Sequence, residues 1–497
     1  MAAGRLPSGS QPVIMARQPG AGDVGRIGPT DGERTNVRPI LRSDRPVPAA
    51  YRRNFLHLYL DIAWYGVLAA SAASFVAVYA ARQGANGFQI GLLSAGPAVV
   101  NLAFTLPAGR WLERQAVDAA VSWAAVFHRL FYLLWVPLPL VLGAQGQVWA
   151  LVGMTLLMSI PGTALAVGFN ALFAEAVPPD WRGHVAGVRN ALLAITFIVV
   201  SLLCGYLLSA LPFPTGYQVV FGIGFVGAAM STLHLWFVVP RPNGQARQRA
   251  GRSLGDLAWP GRFRFLPDSL RPGAALRFLA RNRRPGGRLP LPGVVRSPFG
   301  RVLAVLFAFH LTVHLAVPLF PLHWVNNLGL ADREIGYGAA IFYVSVFLSS
   351  TRLERLVRRW GNRRVTALGA VIMALYPTFM ALAHGLGLFL VGSAAGGLGW
   401  SLVSGALTNY VLDEIPGDRR PAYLAWYNLA LNGALLLGSL TGPAVASLIG
   451  LPAALLIFAG LRLLAAGGIF VCKSQAGCGR GQGKLAICPT IRYEEKP

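Results

Sequence analysis

The sequence predicts an all-α polytopic membrane protein, with twelve transmembrane helices in two six-helix halves that repeat one another. Three observations predict it. The first is composition: 54% of the 497 residues are hydrophobic and only 13% are charged, with a mean hydropathy of +0.52. Soluble domains carry about 25% charged residues. The second is segmentation. A bilayer span needs about 20 apolar residues, and apolar runs of that order occur at 56–81, 88–109, 119–142, 148–174, 185–210, 217–239, 301–325, 335–357, 365–383, 386–411, 422–449 and 451–472. The third is an internal repeat. "EAVPPDWRGHVAGVRN" (175–190) aligns without gaps on "DEIPGDRRPAYLAWYN" (413–428), pairing Glu175 with Asp413, Asp180 with Asp418, Arg182 with Arg420 and Asn190 with Asn428. "FQIG" (88–91) echoes "REIG" (333–336) more weakly.

The connections between runs alternate in character. "GRWLERQ" (109–115), "PPDWRGH" (178–184), "RLVRRWGNRRV" (355–365) and "PGDRRPA" (416–422) are basic or mixed; "GAQGQ" (143–147), "LPFPTGY" (211–217), "HGLG" (384–387) and "GLPA" (450–453) are nearly uncharged. Positive charge is retained on the cytoplasmic side, so the first set and both termini are expected there, in an inner or cell membrane. The chain divides into a disordered cytosolic arm (1–53), a six-helix bundle (54–239), a basic cytosolic connection (240–300), a second six-helix bundle (301–472) and a tail of foreign composition (473–497). The connection carries thirteen arginines against Asp256 and Asp268. Its fragment 263–284 mixes Leu, Phe and Arg and reads either as a tether or as a short surface helix on anionic lipid. The tail holds all the lysines and two of the four cysteines, and no role is assigned to it.

The net charge of +25 is accounted for by orientation in the membrane, and no nucleic-acid partner is expected. Cys204, Cys472, Cys478 and Cys488 fit no zinc spacing, so neither a metal nor a disulfide framework is expected. No nucleophile elbow, HExxH signature or Walker loop occurs. The chain therefore reads as a non-enzyme with no cofactor.

Polar residues deep in a span cost free energy, about 2.5–3.5 kcal/mol for a central Arg or Asp, and mark functional or structural sites. At about 1.5 Å per residue, Asp61, Arg129, His310, His314 and Arg462 fall roughly 12–19 Å from the nearest charged span end. His57, Asp61, Trp64/Tyr65 and Leu68 form one stripe at helical spacing; Ser122, Ala125, Arg129 and Tyr132 form another. His310 and His314, four apart, suit proton handling or hydrogen bonding to a solute. Asn428 and Asn432 make a second such pair, with Asn428 leaning toward structure because it repeats Asn190.

The two-times-six layout and the second-to-third loop of each half resemble the major facilitator superfamily over about residues 52–472. "PAGRWLER" supplies Gly109, Glu113 and Arg114 of the family's loop motif; "RRWGNRR" supplies Gly361, Arg363 and Arg364, with Arg358 where an acid is expected. The resemblance implies alternating access about a cavity lined by the first, fourth, seventh and tenth spans. It places Asp61, Trp64, Tyr65, His310, His314, Asn170, Asn409 and Tyr410 at that cavity, with His57 on the same stripe. The motif residues and the Asp180/Arg182 and Asp418/Arg420 pairs become gate candidates. Arg129 and Arg462 fall on peripheral spans, as struts paired with an acid or capping carbonyls. Asp61 is either a coupling or substrate residue or the structural partner of Arg129. Two marks of proton-linked drug exporters are absent: Ser159 stands where an arginine is expected, and the fifth span reads "SLLCGYLLS" without Gly-Pro.

The expected function is secondary active transport of a small organic solute, with protons as the candidate coupling ion and a monomer in the bilayer as the working unit. Drug or metabolite efflux by antiport is the alternative within the fold. A non-transporting receptor-like or lipid-handling protein is the alternative outside it.

Overall fold

The computed structural model describes residues 49–112, 114–240, 294, 296–415 and 420–472. The first 48 residues, most of the 240–300 connection, the tail from 473, Glu113 and Asp418 lie outside the described residues, as do the side chains of Leu106, Arg420, Pro421 and Ala422. Helices of bilayer length succeed one another: α1 (Ala49–Arg82), α2 (Gly87–Leu112), α3 (Val117–Trp135), α4 (Ala144–Ala176), α5 (Arg182–Ala210), α6 (Thr215–Trp236), α7 (Pro298–Asn327), α10 (Leu386–Glu414), α11 (Arg420–Ile449) and α12 (Leu451–Val471). Between α7 and α10 runs one stretch, Asp332–Leu382, of 51 residues. At about 1.5 Å per residue it would reach roughly 76 Å, more than twice the apolar core of a bilayer. It is broken at Gly361, whose φ of 78° and ψ of 160° are non-helical. That region suits a residue without a Cβ. The stretch is therefore two spans, α8 (332–360) and α9 (362–382), and the count among the described residues is twelve.

Most helix limits fall within a few residues of the apolar runs. The exception is α3, which ends at Trp135 rather than near 142. Pro137 and Pro139 supply no backbone N–H, so only a short separate turn, Leu138–Val141, follows. At its start, α8 is capped by Glu334, whose side chain accepts the Ala331 N–H at 2.8 Å. Its first turn is acidic, as the helix dipole favours.

Each half packs its outer helices on its inner ones through close approaches. A Cβ at Gly227 would stand 2.9 Å from the Trp64 carbonyl oxygen, and one at Gly66 would stand 3.0 Å from Thr196, so α1 is wedged between α6 and α5. In the other half, Gly438 and Gly442 let α11 lie against the α7 backbone at Leu311 and Leu315. Such small-residue contacts hold helices together where lipid removes any hydrophobic gain from association.

The halves meet along α5–α8 and α2–α11. Gly205 and Gly336 face each other, and a Cβ on Gly336 would sit 2.8 Å from the Ser201 carbonyl oxygen. Gly87 and Gly91 clear Pro443 and Ser439 in the same way. Phe197 and Tyr343 stack at 3.7 Å between ring centroids. Arg82 at the end of α1 donates to Asp332 at 2.8 Å and to the Leu330 carbonyl at 2.8 Å. Tyr217 of α6 donates to the same carboxylate at 2.7 Å. These junctions run from mid-membrane to the face remote from the start of α1 and the end of α12, here called the far face; the other is the terminal face. One hydrophobic cluster joins both halves through Tyr79, Phe221, Leu319 and Phe389. Toward the terminal face the cores are separate, one around Phe55, Leu172 and Trp181 and another around Phe299, Tyr410 and Tyr423. The bundle is thus closed at the far face and divided at the terminal face.

Gly336→Val should force α5 and α8 apart. A cost of about 1–3 kcal/mol for overpacking is expected, read as a lower melting midpoint in detergent and greater accessibility of a far-face cysteine reporter. An unchanged midpoint would show that this approach is not tight.

Candidate functional site

The membrane-buried charges of the first half converge on one carboxylate. Asp61 on α1 is 3% exposed. It accepts Ser231 Oγ of α6 at 2.5 Å and Arg189 Nη1 of α5 at 3.0 Å, and Arg129 Nη2 of α3 stands 4.0 Å away. Four helices therefore meet on one side chain. Arg189 also donates to the Leu58 carbonyl, and its guanidinium lies 4.9 Å from the Phe169 ring centroid on α4. Arg129 donates to Thr232 Oγ1 at 2.9 Å and to the Ala228 carbonyl at 3.4 Å. Tyr65, one turn past Asp61, lies close enough to Asp61 and Arg129 to feel both charges. Trp64 is half-buried on the same helix.

Among the described residues, the second half builds the corresponding corner without an acid. Arg462 of α12, 2% exposed, donates to the Met373 carbonyl of α9 at 2.9 Å and to the Thr312 carbonyl of α7 at 2.8 Å. His310 of α7 is 5% exposed and meets Tyr427 Oη of α11 at 3.1 Å. In the repeat Tyr427 falls opposite Arg189, so α1–α5 and α7–α11 are each bridged by side chains at this register. His314 is half-buried, one turn along.

Other sequence-selected residues are placed differently. His57 pairs with His234 of α6 at 3.2 Å between ring nitrogens and packs 5.1 Å from Phe237, toward the terminal face. Asn170 donates to its own helix at the Ala166 carbonyl, 2.8 Å. Asn409 is half-buried. Tyr410 is 1% exposed and packs inside the second bundle, not at the division between halves. Among the gate candidates, Arg182 donates to the Val177 and Ala174 carbonyls and closes the α4–α5 turn beside exposed Asp180. Arg363 donates to the Phe470 carbonyl of α12, and Asn362 to Asp413 at 2.7 Å. Arg114 and Arg364 are exposed. All these contacts stay within one half, while the far-face group of Arg82, Tyr217 and Asp332 crosses between halves.

Arg189 and the Arg82–Asp332 pair were missed from the sequence. Arg189 lies inside the repeat beside Asn190, seven residues past Arg182 of the 178–184 loop, and depth counted from that loop finds it. Arg82 and Asp332 sit at predicted span ends, where charge is ordinary, and only the packing of the halves brings them together. Among the described residues no cluster of three or more His, Cys, Asp or Glu could hold a metal.

Removing a partner from a buried charge costs more than removing a charge that only caps carbonyls. Arg189→Met should lower the melting midpoint markedly, by about 3 kcal/mol or more of stability. Arg462→Met should cost less, because it strands no buried carboxylate, although the Met373 carbonyl, four residues before Pro377, loses its donor. Equal losses would refute the distinction.

The chain matches the Major Facilitator Superfamily model over residues 62–309 and 302–474. It is 24% identical over 151 residues to "Multidrug resistance protein 2" of Bacillus subtilis (strain 168), an alignment covering 30% of this chain and 38% of that one. The chain thus spans well under half the length of that curated relative in the match. Its fold superimposes on a bacterial homologue of the iron transporter ferroportin in an inward-facing state, with a TM-score of 0.61 at 16% identity, covering 85% of this chain and 99% of that one. It superimposes also on a variant of the nucleoside transporter NupG, with a TM-score of 0.60 at 14% identity, covering 84% and 99%. With its twelve spans, its two repeated halves and a family match along nearly all of the membrane-embedded sequence, the chain belongs to the major facilitator superfamily.

Proposed function

We propose that this protein is a secondary active transporter that moves a small organic solute across a cell membrane by alternating access, with Asp61 as the proton-coupling group. The observation that carries the reading is the asymmetry of the bundle. The halves are locked at the far face by the Arg82–Asp332–Tyr217 group, yet keep separate cores at the terminal face. A rocking motion of packed halves about a central site is the physical form of alternating access. The basic connections favour a cytoplasmic terminal face, and on that reading this conformation opens inward. The gate residues of the terminal face, including Asp180, Arg182, Arg363 and Arg364, are then in their released state. The protein works as a monomer, since each half already buries the other's interface.

Asp61 suits coupling because protonation would neutralise the one carboxylate shared by Arg189 and Arg129. Its bonds to α5 and α6 would weaken, and a two-state bundle responds to that difference in binding. Drug efflux is a second reading, favoured by the match to a protein named for multidrug resistance. Ser159 and the fifth span, which lack the exporter marks, speak against it.

The test is solute flux in proteoliposomes with an imposed pH gradient. Asp61→Asn should abolish accumulation driven by the gradient and retain exchange at equal pH; accumulation equal to wild type would remove Asp61 from coupling. Asp332→Asn removes an ion pair and one charged hydrogen bond, together about 1.5–3 kcal/mol. It should shift the population toward the outward-open form by about tenfold or more, read by spin-label distances across the far face. Unchanged distances would show that the latch does not hold the state.

A further inference from the structure

The charge in the membrane interior does not balance. Asp61 is one carboxylate facing two guanidiniums, Arg129 and Arg189. Arg462 in the other half meets only backbone carbonyls among its hydrogen bonds. The Nε atoms of Arg129 and Arg462 are buried and make no hydrogen bond. The remaining described carboxylates, such as Glu175, Asp332, Asp413 and Glu414, lie near helix ends. One negative charge therefore stands against three positive charges at depth, contributed by both halves. Water and salt screen such charge weakly in a low-dielectric interior.

We propose that the transported solute is a small organic anion, and that its anionic group replaces Asp61 on Arg189 when Asp61 takes up a proton. The inference rests on the transporter reading above and names its substrate class. Arg189 is the guanidinium placed for the exchange. Its side chain is 9% exposed, and its planar fork can grip a two-oxygen anion. Phe169 packs at 4.9 Å from its guanidinium, and half-buried Trp64 and Tyr65 on α1 offer apolar surface for a ring or short hydrocarbon body. The proton comes from solvent to the Asp61 oxygen that holds Arg189; Ser231 keeps its bond to the other oxygen. One proton and one monoanion add no net charge, so the cluster keeps its total of +1 with solute bound. Proton and anion then travel together.

The groups that face Asp61 are Tyr65 on its own helix, Arg129 with Tyr132 beside it on α3, Arg189 on α5 and Ser231 on α6, with Tyr59 next to Arg189 and Tyr343 next to Tyr65. The His57–His234 pair lies about one turn toward the terminal face. A pH response must therefore be assigned with the Asp61 variant.

The test uses the purified full chain in proteoliposomes and three probes: radiolabelled benzenesulfonate, benzyltrimethylammonium and uridine. The first two share a ring and a size but carry opposite permanent charges. Benzenesulfonate uptake should be saturable, stimulated by an acid exterior and about tenfold or more above that of the cation. Arg189→Gln should lose about tenfold of that uptake, with partial recovery in Arg189→Lys. Tryptophan-fluorescence titration guards against loss of folding as the cause. In wild type the apparent affinity for benzenesulfonate should fall about tenfold per pH unit on the alkaline side; in Asp61→Asn it should be flat with pH. Gradient-driven flux of the cation or of uridine without the anion would overturn the anion assignment and leave the transporter reading standing. Flux of none of the three would count against both, and pH-dependent anion binding that survives in Asp61→Asn would overturn the exchange at Arg189.

Discussion

The first half of the molecule depends on the carboxylate of Asp61. An unpaired ion at this depth would be expelled or neutralised, since desolvation outweighs what solitary hydrogen bonds return. The chain answers with Ser231, Arg189 and Arg129, each from a different helix. The arginines in turn need more than one acid can supply, and they complete their bonding on the Leu58 and Ala228 carbonyls, Thr232 and the face of Phe169. Helices α1, α3, α5 and α6 are thereby held in register by a set of contacts that a single proton would alter.

The second half solves the same corner by other means. Its arginine is on the last helix of the half, not on the third, and it reaches carbonyls on the first and third. The α1–α5 ion pair has as its counterpart a histidine–tyrosine contact between α7 and α11. The repeat therefore preserves which helices are tied but not the chemistry of the tie. Under the proposed coupling, a proton on Asp61 would change the charge of the first half, while the second half holds its arginine on carbonyls alone.

Architecture was legible in the sequence because bilayer length, loop charge and the 175–190/413–428 repeat are local signals with a strong physical cause. Depth counting also reached Asp61, Arg129 and Arg462, since a charge in an apolar run is conspicuous whatever it contacts. What escaped was partnership. Arg189 bonds to a residue 128 positions away, and the Arg82–Asp332 bond spans 250; nothing in local pattern announces either. Tyr410 illustrates the converse. Its span and register suggested the cavity, but helical phase turns it into the core of its own bundle. The end of α3 at Trp135 shows a local rule, proline without an N–H, overriding an apolar run that continues past it.

The central claim is that Asp61 and Arg189 stabilise the bundle as a pair and not as two separate residues. A double-mutant cycle on the detergent melting midpoint tests it, with Asp61→Asn, Arg189→Gln and the two combined. The account predicts strong coupling, about 2 kcal/mol or more, with the double variant losing clearly less stability than the two single losses added together. Losses that simply add would contradict it.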